Sequence, residues 1–285
     1  MTDEEYGLLE PDAVSGVGDE WEEIDVSDTE ADRIARRRDR EFDEFRKRIK
    51  DADQFKVEAS VFDDATYGAI YRLVQHGHIE AFGGPISTGK EANVFTALSA
   101  DGEVAVKIYR ISASDFRDMS EYLQGDPRFR NLKQSNKKSI VLAWTKKEFA
   151  NLERAQRAGV RVPEPIAVER NVLVMEYIGA EGGRAKRLNE VHVENPEVAY
   201  EVLREYMRRL HGAGIVHGDL SEYNVVVHEG QLVVLDMGQA VTVHHPRSDE
   251  FLARDCENVA AFFARQGVEV TGEELEAFVR EESET

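Results

Sequence analysis

HGDLSEYNVVVHEGQLVVLDMG, residues 217–238, is the stretch on which the fold turns. It supplies a carboxylate, Asp219, an amide five residues later, Asn224, and a second carboxylate, Asp236, twelve residues beyond that. Between the last two, NVVV and QLVV read as short strands joined by a turn at His228-Glu229-Gly230. Phosphoryl transfer needs a cation on the phosphates, oxygen ligands for magnesium and a carboxylate that positions the incoming hydroxyl. Magnesium keeps much of its water and takes only one or two carboxylates, so an Asn and an Asp bracketing a hairpin form a fitting donor pair. Alone, Asp219 reads equally well as a turn cap and Asp236 as a strand end; their spacing is what sets them apart.

Upstream, EANVFTAL and GEVAVKIY read as two strands separated by a turn at 99–102. In the second, Val104, Val106 and Ile108 alternate with Ala105, Lys107 and Tyr109, which places Lys107 beside the small Ala105 on the opposite face. Helical spacing over 139–158 puts Trp144, Glu148, Leu152 and Ala155 together, with Gly159 as the stop. LVMEYIG, ending in Gly179, then reads as a strand running into a connecting segment. In this order the pieces match a protein-kinase pattern: a strand lysine on the phosphates, a helix glutamate holding it, H-x-D-x-x-x-x-N, and D-x-G, with HGD in place of HRD and DMG in place of DFG. The pattern implies a catalytic Asp219, Asn224 and Asp236 as metal ligands, and an ATP pocket. Met175 would line that pocket, and the backbone of Glu176 and Ile178 would read the adenine edge.

GGPISTGKEANVF, residues 83–95, then admits two readings. From Gly84 to Lys90 it spells G-x-x-x-x-G-K, the start of a Walker loop, which must open a helix and be followed by Ser or Thr. The next residue is Glu91, and the following residues alternate as a strand. The stretch is therefore expected to be a strand–loop–strand lid, with Ser87, Thr88 and Lys90 near the phosphates and Ile86 and Val94 against the adenine.

Composition sets the frame. A chain of 285 residues with 41% hydrophobic residues is long enough for two lobes and a cleft. Its net charge of −20 is unevenly spread: residues 1–32 hold thirteen Asp and Glu and no Lys or Arg, and residues 33–50 hold nine Lys and Arg against four acids. The acidic body, with 25 Arg against 11 Lys, resembles proteins adapted to high salt, the alternative being an ordinary acidic cytosolic protein with a disordered acidic tail. One cysteine, Cys256, fits a reducing compartment. With neither a leader pattern nor a run of 18 apolar residues, the expectation is a cytoplasmic protein that binds neither membrane nor DNA.

Residues 1–28 read as a disordered acidic tail. Residues 29–50 read as a loosely periodic helix, whose charge either docks on ribosomal RNA or neutralises the tail. Residues 62–82 read as helix then strand, and 110–138 as a mobile loop with little sign of packing. Asn195-Pro196 caps a helix that runs to Gly212, and 249–282 is helical. The expected division is 1–50 tail and charged helix, 51–178 N-lobe, and 179–285 C-lobe, in an α+β, two-lobed protein-kinase-like fold.

STGKEANV (87–94), VKIYR (106–110), KEFANL (147–152), VMEYIG (174–179), HGDLSEYN (217–224), LDMGQAV (235–241) and RDCENV (254–259) together resemble the type-one branch of the RIO family of atypical serine/threonine protein kinases. The resemblance implies a kinase fold without an activation segment or peptide-binding helices, in keeping with the 49 residues that follow Asp236 and the absence of A-P-E. It further implies ATP with magnesium, or manganese, and autophosphorylation on serine. ATP hydrolysis would pass through an aspartyl phosphate at Asp236, with Asp219 as acid/base. The partners implied are pre-ribosomal small-subunit particles. Ser135 is the candidate autophosphorylation site, with Ser112, Ser114 and Ser120 as alternatives. Nucleic-acid contact is expected to be local to 33–50 or 128–138. A small-molecule phosphotransferase of the aminoglycoside or choline kinase type shares H-G-D and the later Asp, but STGKEANV and the short C-terminal region argue against it. A pseudokinase scaffold is opposed by the full set Lys107, Glu148, Asp219, Asn224 and Asp236.

Overall fold

An antiparallel five-stranded sheet in the order β1-β2-β3-β5-β4 forms the N-terminal part of the fold. The structure, a computed structural model, describes residues 6, 8, 21–26, 33–34, 40–51, 62–111, 116–132, 136–180 and 183–281. Helices α1 (Arg40–Asp51) and α2 (Asp64–Gln75) precede strands β1 (Ala81–Thr88), β2 (Ala92–Ser99) and β3 (Gly102–Tyr109). A short helix α3 (Phe116–Tyr122), a single 3₁₀ turn (Pro127–Phe129) and the long helix α4 (Lys137–Arg157) come next. Strands β4 (Pro165–Glu169) and β5 (Val172–Glu176) complete the sheet.

β1 and β2 pair antiparallel, and the Gly89 N–H closes the turn between them on the Ala92 carbonyl at 3.0 Å. No helix opens after Lys90, so the G-x-x-x-x-G-K spelling is a hairpin turn and not a Walker loop. β3 lies at the centre of the sheet, with Lys107 opposite Val94 on β2 and Leu173 on β5. Both of its faces are covered. Val104, Val106 and Ile108 pack in one cluster with Phe42 and Phe45 of α1 and Ile70 and Leu73 of α2, and Lys107 bonds to α4 on the other side.

Three expectations are corrected. The helix read loosely over 29–50 is described as a helix from Arg40 and is amphipathic: Phe42, Phe45 and Ile49 are buried, and the first two meet Tyr71 edge-on at 5.7 and 5.3 Å. The 110–138 stretch is packed where it is described. Met119, Leu123 and Phe129 are buried against Tyr109, Ile140 and Trp144, so a few well-spaced apolar side chains anchor an otherwise polar segment. Residues 21–26 of the acidic tail are ordered, because Trp21, Ile24 and Val26 pack on the two clusters that flank α4. Ser135, Ser112 and Ser114 lie outside the described residues, and Ser120 is on α3. Arg128, in the stretch offered for nucleic acid, is buried and paired with Asp126.

The C-terminal part is mainly helical. Two short strands β6 (Gly179–Ala180) and β7 (Gly183–Arg184) form a small hairpin, followed by β8 (Lys186–Arg187) and a 3₁₀ turn (Leu188–Glu190). α5 (Pro196–Gly212) begins as expected, with the Val198 N–H donating to the Asn195 side chain and Pro196 in the first turn. β9 (Ile215–Val216) leads into the 217–224 loop, then to the hairpin β10 (Val225–His228) and β11 (Gln231–Val234), with β8 on the other edge of β10. Glu229 and Gly230 both have positive φ, 50° and 74°, as a two-residue hairpin turn requires. β12 (Val241–Thr242) pairs back to β9. The final helical region is two helices, α6 (Ser248–Arg265) and α7 (Gly272–Arg280), the second started by a Thr271–Glu274 capping box. Among the described residues, no helix is long and apolar enough to cross a membrane.

Candidate active site

A cleft of about 520 Å³ separates the sheet from the C-terminal part, a size suited to a nucleotide. Of the residues singled out from sequence, Ile86, Ser87, Lys90, Val94, Ala105, Lys107, Glu148, Met175, Glu176, Ile178, Asn224 and Asp236 line it. Thr88 and Asp219 are not among its lining residues; Thr88 sits exposed at the end of β1, opposite Asn93.

β3 and α4 bring the charged centre together. Lys107 Nζ donates to Glu148 Oε1 and to Asp236 Oδ1, both at 2.7 Å. Tyr109, two residues along β3, donates its hydroxyl to the other Glu148 oxygen. Burial works against the Lys107 charge, but Asp236 and Glu148 outweigh it and hold its pKa well above the ordinary lysine value. The Lys107 charge in turn draws Asp236 below the ordinary carboxylate value. Asp236 itself is bent into the left-handed region, φ 62°, which Asp tolerates better than most side chains. Its carboxylate is about half exposed to the cleft. Asn224 Nδ2 donates to the Asp219 carbonyl at 2.8 Å and to Asp219 Oδ2 at 3.2 Å. An amide oriented in that way keeps its oxygen as the acceptor for a metal.

The 217–220 loop is held from below. His217 places Nε2 3.0 Å from the Leu235 carbonyl and receives the Asp219 N–H on Nδ1, so its hydrogen sits on Nε2. Gly218 has φ 80°, and a Cβ there would stand 3.0 Å from the Gln239 carbonyl. That close approach, with the positive φ, is why position 218 carries glycine. The N–H groups of Gly218 and Leu220 both donate to Asp255 of α6, at 2.7 and 2.8 Å. Burial pushes the Asp255 carboxyl up to about 6, against the pull of His217, the two N–H donors and Arg254.

Asp255→Asn leaves one acceptor oxygen for two buried N–H groups, and is expected to cost roughly 1–3 kcal/mol of stability. The raised pKa sets the sign of the pH dependence. The fold binds this proton more tightly than the unfolded chain, so the stability it contributes is present below about pH 4 and is lost as pH rises through about 6. The deficit of Asp255→Asn should therefore be larger at about pH 4.5 than at about pH 7 in urea unfolding. An equal deficit at both would contradict this.

Several residues of the site carried no signal at the level of motifs. Lys147 and Asn151 flank Glu148 on α4 and reach the backbone of the Asp236 loop: Lys147 Nζ to Gly238 O at 2.9 Å, Asn151 Nδ2 to Met237 O and Ala240 O at 3.0 Å each. Burial, with the Arg128 charge, brings Lys147 down to about 7. Arg187, Tyr223 and Gln239 also line the cleft. Lys147 and Asn151 fall inside KEFANL, and Asp255 inside RDCENV, so the signal was present without a role attached.

The family model of the RIO domain matches residues 93–275. The chain is 71% identical over 280 residues to the RIO-type serine/threonine-protein kinase Rio1 of Haloferax volcanii, covering 98% of this chain and 96% of that one. It is 39% identical to the human serine/threonine-protein kinase RIO1 over 93% of this chain, and spans about half of that longer protein, 47%. Among solved structures, the ADP/Mg²⁺-phosphoaspartate complex of the Rio2 kinase from Chaetomium thermophilum superposes with a TM-score of 0.58. The match covers 76% of this chain and 67% of that one at 23% identity, a likeness of fold.

Proposed function

The chain belongs to the RIO family of atypical serine/threonine kinases, and from that premise we propose an ATP-dependent switch that transfers the γ-phosphoryl group to its own Asp236 and then to water. The observation that carries this reading is the place of Asp236: ionised, half exposed to the cleft, and fixed by Lys107 at 2.7 Å. The ADP/Mg²⁺-phosphoaspartate complex of the Rio2 relative supports an aspartate as the acceptor.

In this scheme Ile86, Val94, Ala105 and Met175 enclose the adenine. The Glu176 N–H is already bonded to the Glu164 carbonyl, and the Ile178 carbonyl accepts from Ala185. The complementary groups, the Glu176 carbonyl and the Ile178 N–H, are the ones proposed to meet the adenine edge. Ser87 and Lys90 on the hairpin lid, with Lys107 beneath, hold the phosphates. Asn224 and Asp236 are the proposed magnesium ligands; a bound ion would neutralise charge on the phosphates. A carboxylate oxygen of Asp236 attacks the γ-phosphorus, the bond to the β-bridging oxygen breaks, and ADP leaves. Water then attacks the acyl phosphate, Asp219 takes the water proton, and free phosphate departs with the Asp236 carboxylate restored. When a serine hydroxyl is the acceptor, Asp219 orients it in the same way.

The proposed setting is maturation of the small ribosomal subunit, with a pre-ribosomal particle as partner, as the family resemblance implies. The acidic body confines any RNA contact to basic segments such as the one around residues 33–50. Incubation with γ-labelled ATP and magnesium tests the chemistry: label is expected as acid-stable phosphoserine, as hydroxylamine-sensitive acyl phosphate and as free phosphate. Free phosphate without any acyl phosphate on the chain would refute the aspartyl route.

A further inference from the structure

Asn151 lies away from the reacting groups, yet it grips the loop that carries Asp236. Its Nδ2 donates to Met237 O and Ala240 O, and its Oδ1 accepts from Arg128 Nη1 at 2.9 Å. Asn151 is fully buried and Arg128 nearly so, at 3% exposure. Asp126 clamps the rest of the Arg128 guanidinium, taking Nε at 3.0 Å and Nη2 at 2.7 Å. With Oδ1 and Nδ2 both engaged, the Asn151 amide has one orientation. Without Arg128 on Oδ1 it loses that constraint, and the two loop carbonyls lose a fixed donor.

The free face of Arg128 is covered by the acidic N-terminal segment. The Arg128 guanidinium lies 4.9 Å from the Trp21 ring centroid, and Arg154 lies over the same ring at 3.8 Å. Arg154 in turn donates to the Ala213 carbonyl at the end of α5. The segment is tied down at three further points: the Ile24 N–H to the Arg128 carbonyl at 3.0 Å, Asn131 Nδ2 to Glu23 Oε1 at 2.6 Å, and Lys146 Nζ to the Asp25 carbonyl. Residues 21–26 thus sit on Arg128, Lys146 and Arg154, with the Trp21 ring as the stacking anchor for the two arginines.

We infer that residues 21–26 form a strap that positions the Asp236 loop, acting from Trp21 through Arg128 and Asn151. This rests on the reading of Asp236 as the site of phosphoryl chemistry. Trp21 is a positioning residue, since it touches neither nucleotide nor reacting atoms. Seated, it holds Arg128 over Asn151 and so fixes the carbonyls of Met237 and Ala240. Displaced, it lets the loop relax and slows turnover with the nucleotide pocket intact.

The test uses the full chain, with Trp21→Ala, Trp21→Phe, Asn151→Ala and the Trp21→Ala/Asn151→Ala double variant. Trp21→Ala is expected to lower kcat for ATP turnover roughly tenfold, about 1.4 kcal/mol. KM for ATP should stay within about twofold, and Trp21→Phe, which keeps a ring for the guanidiniums, should recover most of the rate. The double variant should be no slower than Asn151→Ala alone, because both changes break one chain of contacts. Amide hydrogen exchange over 236–240 should quicken in Trp21→Ala. Wild-type kcat in Trp21→Ala, additive losses in the double variant, or a deficit that tracks thermal stability and is not rescued by Trp21→Phe would each overturn the strap. A wild-type chain with no ATP turnover would instead count against the functional reading, and the exchange measurement would still decide the strap: unchanged exchange over 236–240 refutes it.

Discussion

Asp236→Asn is expected to lower ATP turnover by roughly 10⁴-fold or more, since it removes the proposed acceptor and alters a proposed metal ligand at one stroke. The substitution is nearly isosteric, and Asn adopts the left-handed backbone that Asp236 holds at φ 62° as readily as Asp does. Lys107 retains Glu148 at 2.7 Å, and Glu148 retains the Tyr109 hydroxyl, so the charged centre keeps its frame. The loop keeps its grip from Lys147 and Asn151, because those side chains bind backbone carbonyls of residues 237, 238 and 240 and not the carboxylate. A thermal midpoint close to wild type should therefore accompany the loss of activity. The measurement is label from γ-labelled ATP after hydroxylamine treatment. Acyl phosphate that persists in Asp236→Asn would place the acceptor elsewhere on the chain.

The parts legible in the sequence share a property: their partners lie at fixed spacing along the chain. Asp219, Asn224 and Asp236 sit around one hairpin, and Lys107 and Glu148 sit on elements whose periodicity is plain, so order and spacing located them. Asn151 and Asp255 are different. Each is a buried polar residue within a helix, and what it serves is backbone far away in sequence, at residues 237–240 and 218–220. No local pattern announces such a contact; burial of a polar side chain, visible only in the fold, does. The α3 region and the strap were hidden for a related reason. Composition averaged over a window is dominated by charge, whereas Met119, Leu123 and Phe129, or Trp21, Ile24 and Val26, pack one residue at a time. The burial of β3 on both faces from Val104 to Tyr109 was likewise beyond a period-of-two reading, because the second face is closed by a helix that comes later in the chain.

Asp219→Asn separates the two chemistries proposed for the cleft. The carboxylate does not line the nucleotide pocket, and the Asn224 amide still finds the backbone carbonyl of residue 219 in the variant. ATP affinity, measured by calorimetry, should be unchanged, and what is lost is a proton acceptor. The expected fall in steady-state turnover is roughly 10²- to 10⁴-fold, the range for removal of a general base. Attack on ATP by the already ionised Asp236 carboxylate needs no such base, whereas attack by water on the acyl phosphate does. In Asp219→Asn the acyl phosphate should therefore form and persist, with label accumulating on the chain while release of free phosphate stalls. Transfer to serine should fall in parallel, since a hydroxyl acceptor also must lose its proton. If label instead failed to reach Asp236 at all in this variant, Asp219 would be acting before the acyl phosphate forms, and the division of roles between the two aspartates would have to be redrawn. Normal phosphate release would remove Asp219 from the chemistry altogether.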